Sequence, residues 1–388
     1  MLPTDLRRLT SMTAANVYVL FYHVPMTESG TSSSKTHRLR GRGALSNRVG
    51  RFEPYEREAV DDGWPREDAD VPLLRTEVAI ERPRRILSRN SSPDIPFDRS
   101  INPYRGCEHA CVYCFARPSH AFLGLSPGLD FEARIVAKPE APEYLARELG
   151  AKRYVLAPIA IGTNTDPYQP VEARFRIMRS MLEVLRDWRH PVTIVTKGSL
   201  IERDIDILAP MAREGLVHVG ISLTTLDKAL SRRMEPRAPS PERRLAIIQH
   251  LTDARVPVRV MVAPIIPGLT DHEMETLLAA AREAGAETAS WILLRLPGEV
   301  GPIFREWLDG FGEARARKVL ARLREMHGGR EYDSDWGKRM RGQGVHADLI
   351  RSRFRIATRR LGYAEDAPPL RTDLFRRPER DERQLALL

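Results

Sequence analysis

Cysteine is nearly missing from this sequence of 388 residues: there are three, Cys107, Cys111 and Cys114, all inside the string GCEHACVYCF. An odd number of thiols crowded into one short stretch excludes a disulfide framework, and a reducing compartment, the cytoplasm, fits such usage. The lack of any further cysteine also excludes a second thiol-held cluster from this chain. Long apolar runs are missing too. No stretch reaches the roughly 18 residues that a membrane span needs. Residues 17–24 (VYVLFYHV) are apolar but short, and Pro25-Met26-Thr27-Glu28 make a poor cleavage site, so neither membrane insertion nor secretion is expected. Met26 stands as an alternative start to Met1. A dense tract of one charge sign is the third absence. The 61 Lys and Arg exceed the 52 Asp and Glu by a net charge of +9, spread along the chain. That excess permits a polyanionic partner such as nucleic acid, and it equally describes an Arg-rich soluble protein.

The composition divides the chain. Residues 28–35 (ESGTSSSK) are Ser- and Gly-rich, 38–51 are basic with interspersed Gly, and 60–71 (VDDGWPREDADV) are acidic. Such segments bury little apolar surface, so 1–87 is expected to be a disordered or wrapping arm, with order beginning near Leu87. From 154 onward short apolar runs alternate with amphipathic stretches. Strands are expected over 158–162, 192–196, 217–223, 258–263 and 290–294. Helices are expected over 172–186, 204–214, 241–254 and 271–284, the last capped by Asp271. Strand followed by helix, about five or six times, implies parallel strands with right-handed crossovers. Nearly continuous apolar strands imply that both faces are covered. An open doubly wound sheet and a full or partial (β/α) barrel both satisfy the pattern. In a barrel, loops after the strands form the active face, and the cysteine loop sits near the end of a first strand. The core domain is expected over 88–312 and a basic, helical extension over 313–388. That extension holds helices at 314–326 and 347–361, a Gly/Arg-rich loop at 328–344 that suits a lid or substrate contact, and a disordered last twenty residues.

Thiols spaced CxxxCxxC can hold three irons of a cubane cluster and leave the fourth iron open to a ligand. The competing structure is a Cys3His zinc site in a nucleic-acid-binding protein without redox activity. His109 lies between two of the thiols, too close to complete a normal tetrahedral loop, and His120 is the other available ligand.

The string NPYRGCEHACVYCFARPSH (102–120) resembles the signature of radical S-adenosylmethionine (SAM) enzymes, CxxxCxφC with an aromatic residue, Tyr113, before the last cysteine. Five further strings resemble the spore photoproduct lyase-like branch of that superfamily: GTNTDPYQPVE (162–172), TKGSL (196–200), ISLTTLD (221–227), RMEPRAPSPERRL (233–245) and MVAPIIPGLTD (261–271). The likeness runs from about Ser88 to about Pro297. It implies a partial (β/α)6 barrel in which Cys107, Cys111 and Cys114 hold a [4Fe–4S] cluster and the open iron is chelated by SAM. Reductive cleavage of SAM then gives a 5′-deoxyadenosyl radical that acts on a substrate still to be identified, nucleic acid among the options, with an electron donor such as flavodoxin or ferredoxin as partner. By the same resemblance Tyr113 lies against the adenine. Thr165 and neighbouring carbonyls replace the superfamily's Gly-Gly-Glu turn, with Asp166 or Glu172 adding charge. Lys197 and Ser222 meet the SAM carboxylate, Glu235 supplies an acid near SAM, and Ile265 packs on the adenine. For Lys197 a solvated strand end is the alternative. The lyase's hydrogen-donating cysteine is replaced here by Asn164. A tyrosine relay through Tyr104 or Tyr168 is one way to move a hydrogen atom without it.

Overall fold

The computed structural model of the protein describes residues 41–52 and 74–378. Ten strands are present among them: β1 (Glu77–Ile80), β2 (Ser88–Arg89), β3 (Arg99–Ile101), β4 (Tyr104–Arg105), β5 (Arg134–Ala137), β6 (Ile159–Ile161), β7 (Val192–Thr196), β8 (Val217–Ser222), β9 (Val258–Ile265) and β10 (Thr288–Leu293). The main sheet runs β10-β9-β8-β7-β6-β3-β2. From β3 to β10 its six strands form five parallel pairs, and β2 joins the β3 edge antiparallel. All five strands expected from 158 onward are present, and β3 is the expected first strand before the cysteine loop. β1, β5 and β4 form a small second sheet, in which β4 and β5 belong to the crossover from β3 to β6 and β1 comes from the segment before β2. The architecture is α/β with a mostly parallel sheet, a partial barrel of six β/α units.

Helices cover the outer face. Met178, Met181, Leu182 and Leu185 of helix Ile177–Asp187 are fully buried, as are Leu208 of Ile205–Arg213, Ile247, Ile248 and Leu251 of Pro241–Asp253, and Leu277 and Leu278 of Met274–Glu283. With the outward residues of the strands they form one core. The inner face is different. Val195, Met261 and Ile292 are only partly buried because they line an interior cavity. The expectation that both faces are fully covered is corrected to that extent: the strands alternate between a packed outer face and a hollow inner one.

Three local expectations change. The helix expected over 172–186 is broken at Arg176, whose φ of 53° is left-handed, into Glu172–Phe175 and Ile177–Asp187. The Glu172 carboxylate stabilises the break by accepting the Met178 amide at 3.1 Å, an N-terminal donor with no partner inside the helix. Asp271 does not cap the helix after it. It accepts the Gly268 amide at 2.7 Å, and the helix begins at Met274 after a short turn. Regular structure begins before Leu87, at Glu77, and residues 41–52 also lie on the core: Arg42 is fully buried and donates to the Glu132 carbonyl at 2.6 Å. The rest of the expected arm, 1–40 and 53–73, lies outside the described residues.

The extension begins with helices Glu313–Met326 and Val345–Arg360. Between them the 328–344 loop reaches both edges of the open sheet. Leu293 of β10 donates to the Met340 carbonyl at 2.9 Å, while Arg339 pairs with Asp94, beyond β2, at 2.5 Å. It therefore spans the seam of the barrel. Of the last twenty residues, 371–378 dock on the core. Arg371 and Arg376 donate backbone bonds to Gly215 and Trp188, and the Phe375 ring lies 5.6 Å from His190 and 6.1 Å from Trp188. Residues 379–388 lie outside the described part. No helix among the described residues is long and apolar enough to cross a membrane.

Candidate functional site

The cysteine loop leaves β4 through Gly106, whose φ of 75° and contact with the Phe131 carbonyl leave no room for a side chain: a Cβ there would stand 2.8 Å from that oxygen. Two tight turns follow, with Ala110 and Cys114 amides donating to the carbonyls of Cys107 and Cys111, both at 3.2 Å. Arg117 fixes the loop from behind. Fully buried, it donates to the Cys111 carbonyl at 2.9 Å and pairs with Glu132, and Glu132 in turn accepts the amides of Gly43 and Ala44 at 2.9 and 2.8 Å. The arm thus locks the thiol loop through one carboxylate.

The three thiols face a cavity of about 190 Å³ at the C-terminal ends of the parallel strands. Burial pushes all three thiol pKa values up, with Lys197 opposing it at Cys111 and Arg117 at Cys114. Alone they would be protonated, and a bound cationic metal centre is what would make them thiolates. Among the described residues no three His, Cys, Asp or Glu side chains converge on one metal-ion position. His120 is spent elsewhere, its Nε2 2.9 Å from the Arg134 carbonyl, and His109 turns Nδ1 to Asp166 at 3.2 Å. The donor set is three separate thiols beside a cavity, Cys107 and Cys111 buried and Cys114 half-buried, which fits a cluster and gives no Cys3His site among the described residues.

The other walls come from strand ends. After β6 the chain turns at Gly162, where φ is 86° and a Cβ would meet the Val195 carbonyl at 2.1 Å. The Asn102 side chain accepts the Asn164 and Thr165 amides at 2.9 and 3.2 Å, and the Thr165 hydroxyl donates to the Tyr104 carbonyl at 3.0 Å. Asp166 ties this turn to the end of β7 by accepting the Thr196 hydroxyl at 2.5 Å and the Lys197 amide at 2.7 Å. Burial alone would raise the Asp166 pKa, but His109, Thr196 and the Lys197 amide hold it down at about 2. Lys197 lines the cavity with its Nζ 5.9 Å from the Tyr113 ring centroid, and no carboxylate pairs with it among the described residues. Ser222 lines the cavity as well but donates to the Ala263 carbonyl at 3.0 Å, so its proton is committed there and not to the carboxylate it was expected to meet.

Cys107, Cys111, Cys114, Tyr113, Thr165, Lys197 and Ser222 are therefore brought together. Five expected residues are not. Ile265 is buried away from the cavity, and Ala263 and Pro264 line it instead. Glu235 is buried behind Tyr113, where it accepts the Tyr113 hydroxyl, accepts the Thr224 hydroxyl at 3.0 Å, and pairs with Arg244. Tyr104 and Tyr168 are fully buried and do not line the cavity, and the Tyr104 hydroxyl donates to Glu172 at 2.5 Å. Glu172 is likewise committed, to Tyr104, Arg203 and Met178, and adds no charge to the cavity. Sequence reasoning missed Asn102, Arg244 and Arg295. For Asn102 the signal was present, in an Asn-Pro pair immediately before the cysteine loop. Arg244 and Arg295 stand among many other arginines, and nothing in the sequence distinguishes them.

Comparison with known proteins agrees with this geometry. The profile of the radical SAM superfamily matches residues 101–281. An uncharacterised protein of Mycobacterium tuberculosis is 39% identical over 236 residues, covering 60% of this chain and 68% of that one. An uncharacterised protein of Methanocaldococcus jannaschii is 28% identical over 173 residues, 45% and 62% of the two chains. Among solved structures, a cysteine-to-serine variant of spore photoproduct lyase superposes with a TM-score of 0.53 at 15% identity, over 74% of this chain and 80% of that one. A second variant of that lyase, with bound AdoMet and dinucleoside spore photoproduct, gives 0.52 at 14% identity over the same shares. At that identity the likeness is one of fold. With its three-cysteine loop at the mouth of a six-stranded partial barrel, the chain belongs to the radical SAM superfamily, whose cofactors are a [4Fe–4S] cluster and SAM.

Proposed function

We propose that the protein is an enzyme in which Cys107, Cys111 and Cys114 hold a [4Fe–4S] cluster and the adjoining cavity takes SAM and a substrate. The observation that carries this reading is the convergence on one cavity of three thiols and of Lys197, which no carboxylate pairs among the described residues. Bound there, the cluster and SAM would supply one electron and a 5′-deoxyadenosyl radical. Lys197 neutralises the SAM carboxylate. Thr165 and Ser222 direct their protons to backbone carbonyls, so both hydroxyls offer lone pairs, which suit the SAM ammonium. Tyr113 and the Ala263–Pro264 segment form the apolar surface for the adenine. Glu235 is a positioning residue that orients Tyr113. No hydrogen relay is assigned to Tyr104 or Tyr168, because neither lines the cavity. With Asn164 in the turn and no thiol beyond the three ligands, the hydrogen donor is not a cysteine of this chain.

A substrate belonging to nucleic acid is supported by the net charge of +9 and by the fold shared with a lyase that binds a dinucleoside photoproduct. A flavodoxin or ferredoxin is the proposed electron donor. The test is anaerobic purification with iron and sulfide, followed by SAM and a strong reductant. Wild type should be brown and release 5′-deoxyadenosine, and Cys111→Ala should do neither. A colourless protein holding one zinc would refute the reading.

A further inference from the structure

Arg295 is a cation of the cavity that the foregoing roles leave unused. It follows β10 directly, between Leu294 and Leu296. Both leucines are buried in a second apolar cluster, so the alternation of an extended chain turns Arg295 to the other side. There it lines the cavity beside Cys114 and Phe115. Its guanidinium lies over the Phe115 ring, 4.7 Å from the centroid. Among the described residues its one polar contact is the Tyr332 hydroxyl, at 3.4 Å, and its Nε is buried without a hydrogen-bond partner. No carboxylate pairs with it among the described residues. Asp94, which lies within its field, is held by Arg339 and the Gly337 amide.

The fully buried arginines of the site are paired, Arg117 with Glu132 and Arg244 with Glu235, whereas Arg295 is half-buried. A guanidinium kept partly desolvated with an orphan N–H costs stability that a bound anion would relieve. SAM does not supply that anion. It carries a single carboxylate, assigned to Lys197, and its ammonium and sulfonium are both positive. We propose that Arg295 is the substrate's anchor: the molecule acted on carries a carboxylate or phosphate that the guanidinium fork grips, with an apolar part against the half-exposed Phe115. This rests on the reading that Lys197 takes the SAM carboxylate.

The experiment uses the full chain, anaerobically reconstituted and with SAM present. Phenyl phosphate, benzoate and neutral phenol are titrated by ligand-observed NMR, and SAM affinity is measured in parallel by equilibrium dialysis. At least one of the two anions should bind wild type more tightly than phenol. Arg295→Gln should weaken that anion by roughly tenfold or more, Arg295→Lys should restore part of the loss, and SAM affinity should stay within about twofold in both variants. A preference for phenyl phosphate identifies a phosphoester substrate, and a preference for benzoate a carboxylate. The proposal is overturned if neither anion binds wild type, if phenol binds equally well, if Arg295→Gln leaves anion binding unchanged, or if that variant loses SAM. Lys197→Gln with undiminished SAM affinity would instead refute the assignment of Lys197, and the anion titration reads Arg295 independently of it.

Discussion

The carboxylate of Glu235 does not reach the cavity, yet it governs what the cavity presents. One oxygen takes the Tyr113 and Thr224 hydroxyls and the other takes Arg244, all in full burial. Breaking such a pair leaves a buried guanidinium without its counter-ion. Glu235→Gln should therefore cost about 3–5 kcal/mol in urea unfolding, whereas Tyr113→Phe, which leaves the ion pair intact, should cost about 1 kcal/mol. Equal costs would mean that the ion pair is not what holds this wall. Asn102 acts on the opposite wall, where its side-chain oxygen accepts two amides of the Gly162–Asp166 turn. Asn102→Ala should lower SAM affinity more than stability, because the turn can re-satisfy its amides with water once it moves. Neither role is visible in a string of letters. An acid between Met234 and Pro236 reads alike whether it faces a ligand or the back of a tyrosine.

At the scale of elements, the turn after β6 depends on a backbone conformation that a side chain would forbid. Gly162→Ala places a methyl against the Val195 carbonyl, backbone against which nothing can rotate away. It should abolish SAM binding and lower the thermal midpoint sharply. Gly312 has a similar φ, 89°, but open space around it, and Gly312→Ala should cost about 1–3 kcal/mol of backbone strain without a clash, because its ψ of 148° places it in an extended region that only glycine adopts readily. Helix Ile177–Asp187 carries the largest block of the outer core, and Leu182→Ala should cost about 2–5 kcal/mol by chemical denaturation. These elements were the most legible part of the sequence. Apolar spacing gave the helix positions, and the runs at 158, 192, 217, 258 and 290 gave the strands, because period is set by local geometry. The break at Arg176 was not legible. It depends on a carboxylate, Glu172, that is also recruited by Tyr104 and Arg203 from distant parts of the chain.

Across the whole molecule, segments that composition assigned to flexible ends turn out to close the structure. Gly43 and Ala44 reach the cysteine loop through Glu132, and Phe375 returns to Trp188 and His190. Few apolar residues mark these stretches, so a reading based on apolar burial passes over them; backbone hydrogen bonds and one buried carboxylate do the docking. Glu132→Ala should remove hydrogen-exchange protection from the Gly43 and Ala44 amides and, by stranding Arg117, loosen the thiol loop. The cysteine loop was legible in full because its spacing encodes chemistry directly. The cation that lies beside it on the cavity wall, Arg295, required the fold.

The central claim is that three thiols hold a cluster with one iron open to SAM. It is tested most directly by the electron paramagnetic resonance spectrum of the reduced, reconstituted protein before and after SAM is added. The account predicts a [4Fe–4S]⁺ signal that SAM shifts in wild type and shifts far less in Lys197→Gln. A spectrum that SAM leaves unchanged in wild type, or no cluster signal at all, would contradict it.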